Sequence, residues 1–415
     1  MKLFGLQQIT GVRSITMSIA LAAILAVTSA LVAAPSGDIQ APPGIIPPSL
    51  FDLNILFHPN TTVPWPVVPF YGWRLSHADW STLEPSKDHY YFDLVDKYVT
   101  WGQQHNTEIL MTLTYTPQWA SSTPNVKTAP GLGVSGQPND MADWKRYVRT
   151  VAERYKGKIH VYEIWNEPDK KESWTGSVDT MVSMVRDASQ ILKEVDPSIT
   201  IVSPPPTGPK GVDFLQQFLA KGGGQYVDVI GYHFYVAENP PEAMAPLIQQ
   251  VKSIMNQNGV GNKPLWNTEA GWYAPKPFPS QELAAGYVAR AYVVNWVAGV
   301  SRFYWYCWDN HNWTTLELTM PNNTTLRSAG KAFGTIQQWM VGASMNKCLT
   351  SANNDWVCEL KRNGSSQYIV WNTAGDHSFR LSKDWRVSQY TKLDGTVTQI
   401  SGEFIPTGVQ PVLIQ

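Results

Sequence analysis

Two short stretches hold acids in settings suited to chemistry. Tyr162-Glu163-Ile164-Trp165-Asn166-Glu167-Pro168-Asp169 follows the fourth of a series of apolar, β-branched or aromatic runs, and Leu265-Trp266-Asn267-Thr268-Glu269-Ala270-Gly271-Trp272 closes the seventh. If those runs are strands of a parallel barrel, Glu167 and Glu269 stand at C-terminal strand ends, where the loops form the barrel mouth. Strands 4 and 7 face each other there, so the two carboxylates can flank one glycosidic bond, one as proton donor and one as nucleophile. Whichever of the two serves as nucleophile must stay ionised, which needs a neighbouring positive charge or hydrogen-bond donors. The other must hold a proton near neutrality, which partial desolvation and the charge of its partner would favour. Asn166 is expected to hydrogen-bond the sugar 2-hydroxyl. Glu163 lies four residues deeper, ~13 Å by strand rise, and reads as a buried, hydrogen-bonded core acid. His233 reads as a hydrogen-bonding wall residue or as a direct substrate contact. Trp119 and Trp308, at strand ends, read either as sugar platforms or as core.

The elements that must position these residues are legible as a pattern. Eight strand-like runs occur near 52–57, 70–75, 109–115, 159–165, 199–203, 227–235, 263–269 and 302–308. Between them, sets such as Trp144, Tyr147, Val151 and Tyr155, or Met181, Val185, Ala188 and Leu192, keep the three-to-four spacing of one buried helical face. Largely apolar strands alternating with helices predict a parallel (β/α)8 TIM barrel over 51–342. A last helical pattern spans Ala332 to Met340. Beyond it, short strands punctuated by Asn, Ser and Gly, with Asp394-Gly395 as a hairpin signal, predict a small C-terminal β-sandwich over 343–415. Residues 35–50, with five prolines, predict a stiff extended lead-in.

Composition narrows the partners. Lys plus Arg is 32 and Asp plus Glu 33, a net charge of −1, which leaves no electrostatic footprint for nucleic acid or an anionic membrane. Eighteen Trp and eighteen Tyr against 16% charged residues suit flat, neutral, polyhydroxylated ligands that stack on rings. No His-Glu-x-x-His pattern or Cys/His cluster is present, so neither metal nor cofactor is expected. No Gly-x-Ser-x-Gly elbow points to a serine hydrolase. Lys2 and Arg13 flank an apolar run from Ile19 to Val32, followed by small residues, which predicts a secretory signal over 1–34 and a secreted or periplasmic protein with no membrane attachment after cleavage. In such a compartment Cys348 and Cys358, ten apart in the strand-rich tail, are expected to close a hairpin as a disulfide. Cys307, between Tyr306 and Trp308, has no neighbouring base to activate it and reads as a buried free thiol.

Asn-Glu-Pro closing strand 4, with a Glu closing strand 7, resembles clan A of the glycoside hydrolases, and the wording around them is most like family 39. The resemblance extends over most of the chain. It implies Glu167 as acid/base, held protonated by partial desolvation and the nearby charge of Glu269, and Glu269 as nucleophile, kept ionised by Arg74 and the Tyr235 hydroxyl. Arg74, in Gly72-Trp73-Arg74-Leu75, sits where the clan keeps an Arg beside the nucleophile. His233 and Tyr235, in Gly231-Tyr232-His233-Phe234-Tyr235, match the clan's His and Tyr on strand 6, and Thr116-Pro117-Gln118-Trp119-Ala120 resembles the family's strand 3 loop. The chain is shorter than β-xylosidase and iduronidase members, so the resemblance implies a carbohydrate substrate and β-glycosidic cleavage without a particular sugar. Two other readings stand beside it: another clan A hydrolase such as a family 5-like endoglucanase, against which the β-tail and the Thr-Pro-x-Trp loop argue, and a non-catalytic carbohydrate-binding barrel, which loss of either acid would mark.

Overall fold

A computed structural model describes residues 37–57 and 63–415. The expected signal segment, 1–34, lies outside the described residues. Eight parallel strands, Phe51–Ile55, Gly72–Leu75, Glu108–Leu113, Val161–Ile164, Thr200–Val202, Ile230–Tyr232, Leu265–Ala270 and Arg302–Trp305, form one sheet in sequence order, and the first pairs with the eighth. Between the fifth and sixth strands only single bridges, Val202 to Val229 and Thr207 to His233, complete the ring. All eight fall on the apolar runs read from the sequence. That legibility has a physical cause, because helices cover the outer face while side chains from opposite strands fill the interior.

The interior is layered. At its floor Asp52 accepts from Arg302 at 2.8 Å, and the Arg302 guanidinium is framed by the Tyr71, Trp266 and Tyr304 rings. One strand repeat higher lie Asn54, Arg74, Thr112 and Glu163, with Asn54 level with Arg74 and Thr112 level with Glu163. Glu163 is fully buried, and its Oε2 accepts from Arg74 Nε at 2.7 Å and Thr112 Oγ1 at 3.0 Å. This buried ion pair supports the mouth from beneath.

Among the described residues seven helices of nine or more residues, from Asp93–Gln104 to Ser328–Met340, wrap the barrel. Several begin where the sequence offers a cap: the side chains of Asp140, Ser177 and Ser280 accept from backbone N–H groups of the first turn. The helix Gln281–Ala298 differs from the rest in being buried on every side from Ala284 onward. The Ser328–Met340 helix and the C-terminal sheet cover it. Gly286 is needed there, since a Cβ would come within 2.3 Å of the Val409 carbonyl. Arg290 pairs with Glu242 at 2.7 Å, and Glu242 also accepts from Trp371 Nε1.

The C-terminal part is antiparallel. A seven-stranded sheet runs in the order 38–40, 344–350, 355–362, 365–372, 412–414, 389–392, 397–399, with a two-stranded sheet of His377–Arg380 and Phe404–Thr407 beside it. Val370, Tyr390, Ile405, Val412 and Ile414 form the core they share. The proline-rich segment before the barrel supplies the edge strand, Asp38–Gln40, whose register is Asp38 to Leu349 and Gln40 to Lys347. Cys348 and Cys358 stand directly opposite in neighbouring strands and form a disulfide. Cys307 is a buried free thiol whose pKa is raised well above the usual range by burial, with the Asp309 charge behind it.

Candidate active site

Glu269 reaches the mouth through an irregularity in its strand. Asn267 faces outward, donating to Asn295 of the covering helix, and strict alternation would send Glu269 the same way. Between Asn267 and Ala270 the register against the eighth strand slips by one residue, a bulge that turns Glu269 inward. Glu269 Oε2 then accepts from Arg74 Nη1 at 2.8 Å and Oε1 from the Tyr235 hydroxyl at 2.9 Å.

Glu167 stands just past the fourth strand in a tight turn, where Trp165 and Glu167 take positive φ values of 69° and 44°. Such values are uncommon outside glycine and persist only where the surroundings fix them. Here the Glu167 N–H donates to the Pro205 carbonyl, Thr207 N–H donates to Asp169, and Trp165 Nε1 donates to the Ser173 carbonyl. Glu167 Oε1 lies 3.1 Å from His233 Nδ1, and Oε2 lies 2.8 Å from Lys170 Nζ. One oxygen of Glu167, one of Glu269 and a ring nitrogen of His233 all lie within 4.8 Å of one another. The carboxylate oxygens are already engaged by Arg74, Tyr235, Lys170 and His233 Nδ1.

The charges sort by their neighbours. Burial opposes the Arg74 charge, but Glu163 and Glu269 outweigh it, and the guanidinium is held more firmly protonated than usual. Burial, with the Glu269 charge added, raises the Tyr235 pKa well above the ordinary value, so its hydroxyl remains a donor. Glu167 departs from the expectation that desolvation and Glu269 keep it protonated. Burial does push its pKa up, but the His233 hydrogen bond, the His233 charge and Lys170 together draw it down to about 2. Lys170 was legible as Glu-x-x-Lys, three residues on, and sequence reasoning passed over it.

Asn166 is oriented by Arg74 Nη2, which donates to its Oδ1 at 2.8 Å, while its Nδ2 donates to the Tyr115 hydroxyl at 3.2 Å. Arg74, Asn166, Glu269, Thr112, Tyr115 and Tyr306 line a cavity of about 540 Å3 that continues past Ser76, Ser81 and Thr82. The two tryptophans singled out at strand ends stand elsewhere. Trp308 is 1% exposed, its backbone N–H donating to Asn54, and is core. Trp119 donates Nε1 to the Glu84 carbonyl and packs edge-on to Trp80 with Lys87 and Arg146 over its ring; it is not among the described residues that line the cavity. The aromatic wall beside Glu269 is instead made by Tyr235, Tyr273, Tyr306 and Trp313.

A parallel barrel with carboxylates facing one another from strands 4 and 7 is the architecture of a clan A glycoside hydrolase. The family model for glycosyl hydrolases family 39 matches residues 80–308; the chain belongs to that family and is a glycosidase. Among curated proteins no sequence matches it. Solved structures repeat its fold. A family 39 glycoside hydrolase from the gut symbiont Bacteroides cellulosilyticus superimposes with a TM-score of 0.70 at 17% identity, over 90% of this chain and 82% of that one. A family 39 β-xylosidase from Caulobacter crescentus gives 0.65 at 14%, over 90% and 97%. A glucosidase from Croceicoccus marinus gives 0.63 at 14%, over 92% and 96%.

Proposed function

We propose that the chain is an exported retaining β-glycosidase acting on an oligosaccharide or polysaccharide, with Glu269 as nucleophile and Glu167 as acid/base. The observation that carries this reading is the pairing of Glu269 with two donors while an oxygen of Glu167 lies within 4.8 Å. Retaining enzymes separate their carboxyl groups by about 5–5.5 Å, whereas inverting ones leave about 6.5–9.5 Å for a water. Arg74 and Tyr235 keep Glu269 ionised and aim it at the anomeric carbon. Glu167 delivers a proton to the departing oxygen as Glu269 forms its bond to the sugar. Esterification removes the Glu269 charge, and Glu167 then accepts the proton of the water that releases the product. With its Oδ1 held by Arg74, Asn166 offers an N–H to the sugar 2-hydroxyl, a contact that tightens as positive charge develops on the ring. Export is supported by the charged flank and apolar run of the leader and by a disulfide suited to an oxidising compartment.

The test replaces the nucleophile. Glu269→Gly should lose turnover of aryl β-glycosides, and azide should restore product of inverted anomeric configuration, read by proton NMR. Near wild-type activity of Glu269→Gly without azide would remove the assignment.

A further inference from the structure

Two residues past Glu167 stands a carboxylate that the proposed reaction does not call on. Asp169 is half-buried, and its Oδ1 accepts from the Thr207 N–H at 3.0 Å, which joins the turn after strand 4 to the loop after strand 5. An aspartate bonded to one backbone N–H is ordinary. What that loop holds is not. The Pro205 carbonyl accepts from the Glu167 N–H at 3.1 Å, the Pro206 carbonyl accepts from the His233 N–H at 3.0 Å, and the Gly208 N–H donates to the His233 carbonyl at 2.9 Å. Tyr232 donates its hydroxyl to the Gly208 carbonyl at 2.7 Å. One short segment, 205–208, therefore carries the backbones of both Glu167 and His233, whose side chains meet at 3.1 Å. It is stiff, because Pro205 and Pro206 fix their own φ, and Gly208 takes φ 58°, a region that most side chains avoid. Asp169 is the side-chain tie between this segment and the turn in which Trp165 and Glu167 hold positive φ values.

The charge of Asp169 acts on the same group. Lys170, beside it, pairs with Glu167. Burial raises the Asp169 pKa to about 6, the Thr207 N–H draws it down, and the Glu167 charge pushes it up. Repulsion between two carboxylates is reciprocal, so an ionised Asp169 strengthens the hold of Glu167 on a proton, in opposition to Lys170. The other groups that face the two acids are Arg74 from strand 2, Tyr115 from beyond strand 3, Tyr232, His233 and Tyr235 from strand 6 and Glu269 from strand 7.

We propose that Asp169 is a positioning residue for the acid/base: through Thr207 it fixes the segment that sets Glu167 against His233, and its negative charge helps Glu167 keep the proton that it delivers. This rests on the reading of Glu167 as acid/base. It confines the effect of Asp169 to leaving groups that need protonation.

Wild type, Asp169→Asn, Asp169→Ala and Glu167→Ala are compared by kcat/KM against pH. The substrates are phenyl β-glycosides of xylose, glucose, galactose and mannose, the accepted sugar being taken forward, and the matching β-glycosyl fluoride, whose departure needs little protonation. Asparagine keeps the acceptor for Thr207 and removes the charge, which favours ionised Glu167. On the phenyl glycoside Asp169→Asn should match wild type well below pH 6, where Asp169 is itself neutral. Near pH 8 it should fall about 3- to 10-fold below wild type, a move of the alkaline limb to lower pH by about 0.5–1 unit, opposite in sign to the loss of Lys170. Asp169→Ala should lose a further few-fold at every pH, as the segment is released. The fluoride should be hydrolysed at close to the wild-type rate by both. A difference between Asp169→Asn and wild type that does not vary with pH, no difference at all, or equal losses on the two substrates overturns the proposal. Should Asp169→Asn fail to melt cooperatively, Glu167→Gln carrying 13C-carboxyl-labelled aspartate supplies a second reading by NMR. Loss of the Glu167 charge should move the Asp169 titration to lower pH, and an unmoved titration overturns the proposal. If Glu167→Ala loses equally on both substrates, the acid/base reading falls and the proposal with it; if it discriminates while Asp169→Asn does not, the proposal alone falls.

Discussion

Under the proposed mechanism, Lys170 offers a direct handle on the proton that Glu167 delivers. Its ammonium sits 2.8 Å from Glu167 Oε2, with the Lys170 side chain 46% exposed and that of Glu167 12% exposed. Arg74, Glu269, Tyr235 and Tyr115 face Glu167 from other strands, Asp169 from its own turn, and His233 holds its other oxygen. At 2.8 Å the Coulomb energy in water is about 1.5 kcal/mol, and because Lys170 is half in solvent, screening reduces it to about 1 kcal/mol, or about 0.5–1 pKa unit. The sign follows from the charge: the cation favours ionised Glu167, so removing it raises the pKa, and the protonated form needed for the first step survives to higher pH. In Lys170→Met the alkaline limb of kcat/KM should move up by about 0.5–1 pH unit, measured on an aryl glycoside whose leaving group requires protonation. Lys170→Arg should leave the limb in place, and added salt should narrow the gap between wild type and Lys170→Met. A limb that stays put in Lys170→Met, or moves down, refutes the electrostatic argument.

Two further outcomes follow from the same site. Glu167→Ala should slow substrates with poor leaving groups by ~10²–10⁴-fold. On an aryl glycoside with a very acidic leaving group it should give a burst and a covalent adduct on Glu269 by mass spectrometry; equal losses on both kinds of substrate would make Glu167 structural. Tyr235→Phe deletes one of two donors to the Glu269 carboxylate and should cost roughly 10- to 100-fold in kcat, the worth of a hydrogen bond to a charged group, with little change in thermal unfolding; an unaltered kcat would deny the hydroxyl its role.

What the sequence displays depends on how each segment is buried. The barrel strands are enclosed on both faces and read as apolar runs, while helices such as Met141–Arg154 show a stripe because one face meets solvent. Gln281–Ala298 shows none, because the C-terminal sheet covers the side that would otherwise be polar. Glu167 and Glu269 were legible from their places at strand ends, but the bulge that turns Glu269 inward depends on register against the eighth strand. The tryptophans illustrate the limit. Trp308 and Trp313 are five residues apart, and only the turn at Asn310 decides that one is sealed in the core and the other meets solvent.

The strand Asp38–Gln40 bears on the protein's solubility. It lies along Lys347–Leu349 and occupies the edge of the seven-stranded sheet. An edge strand is a template for another chain, and a three-residue strand with an aspartate paired to Lys347 is a poor one. Trimming that removes residues before Ala41 would bare the longer Ser344–Thr350 strand, whose Leu349 side chain is already exposed. Molecules shortened in this way would keep the mouth of the barrel intact, yet they would carry an adhesive border, and self-association rather than lost turnover would be the first sign of damage.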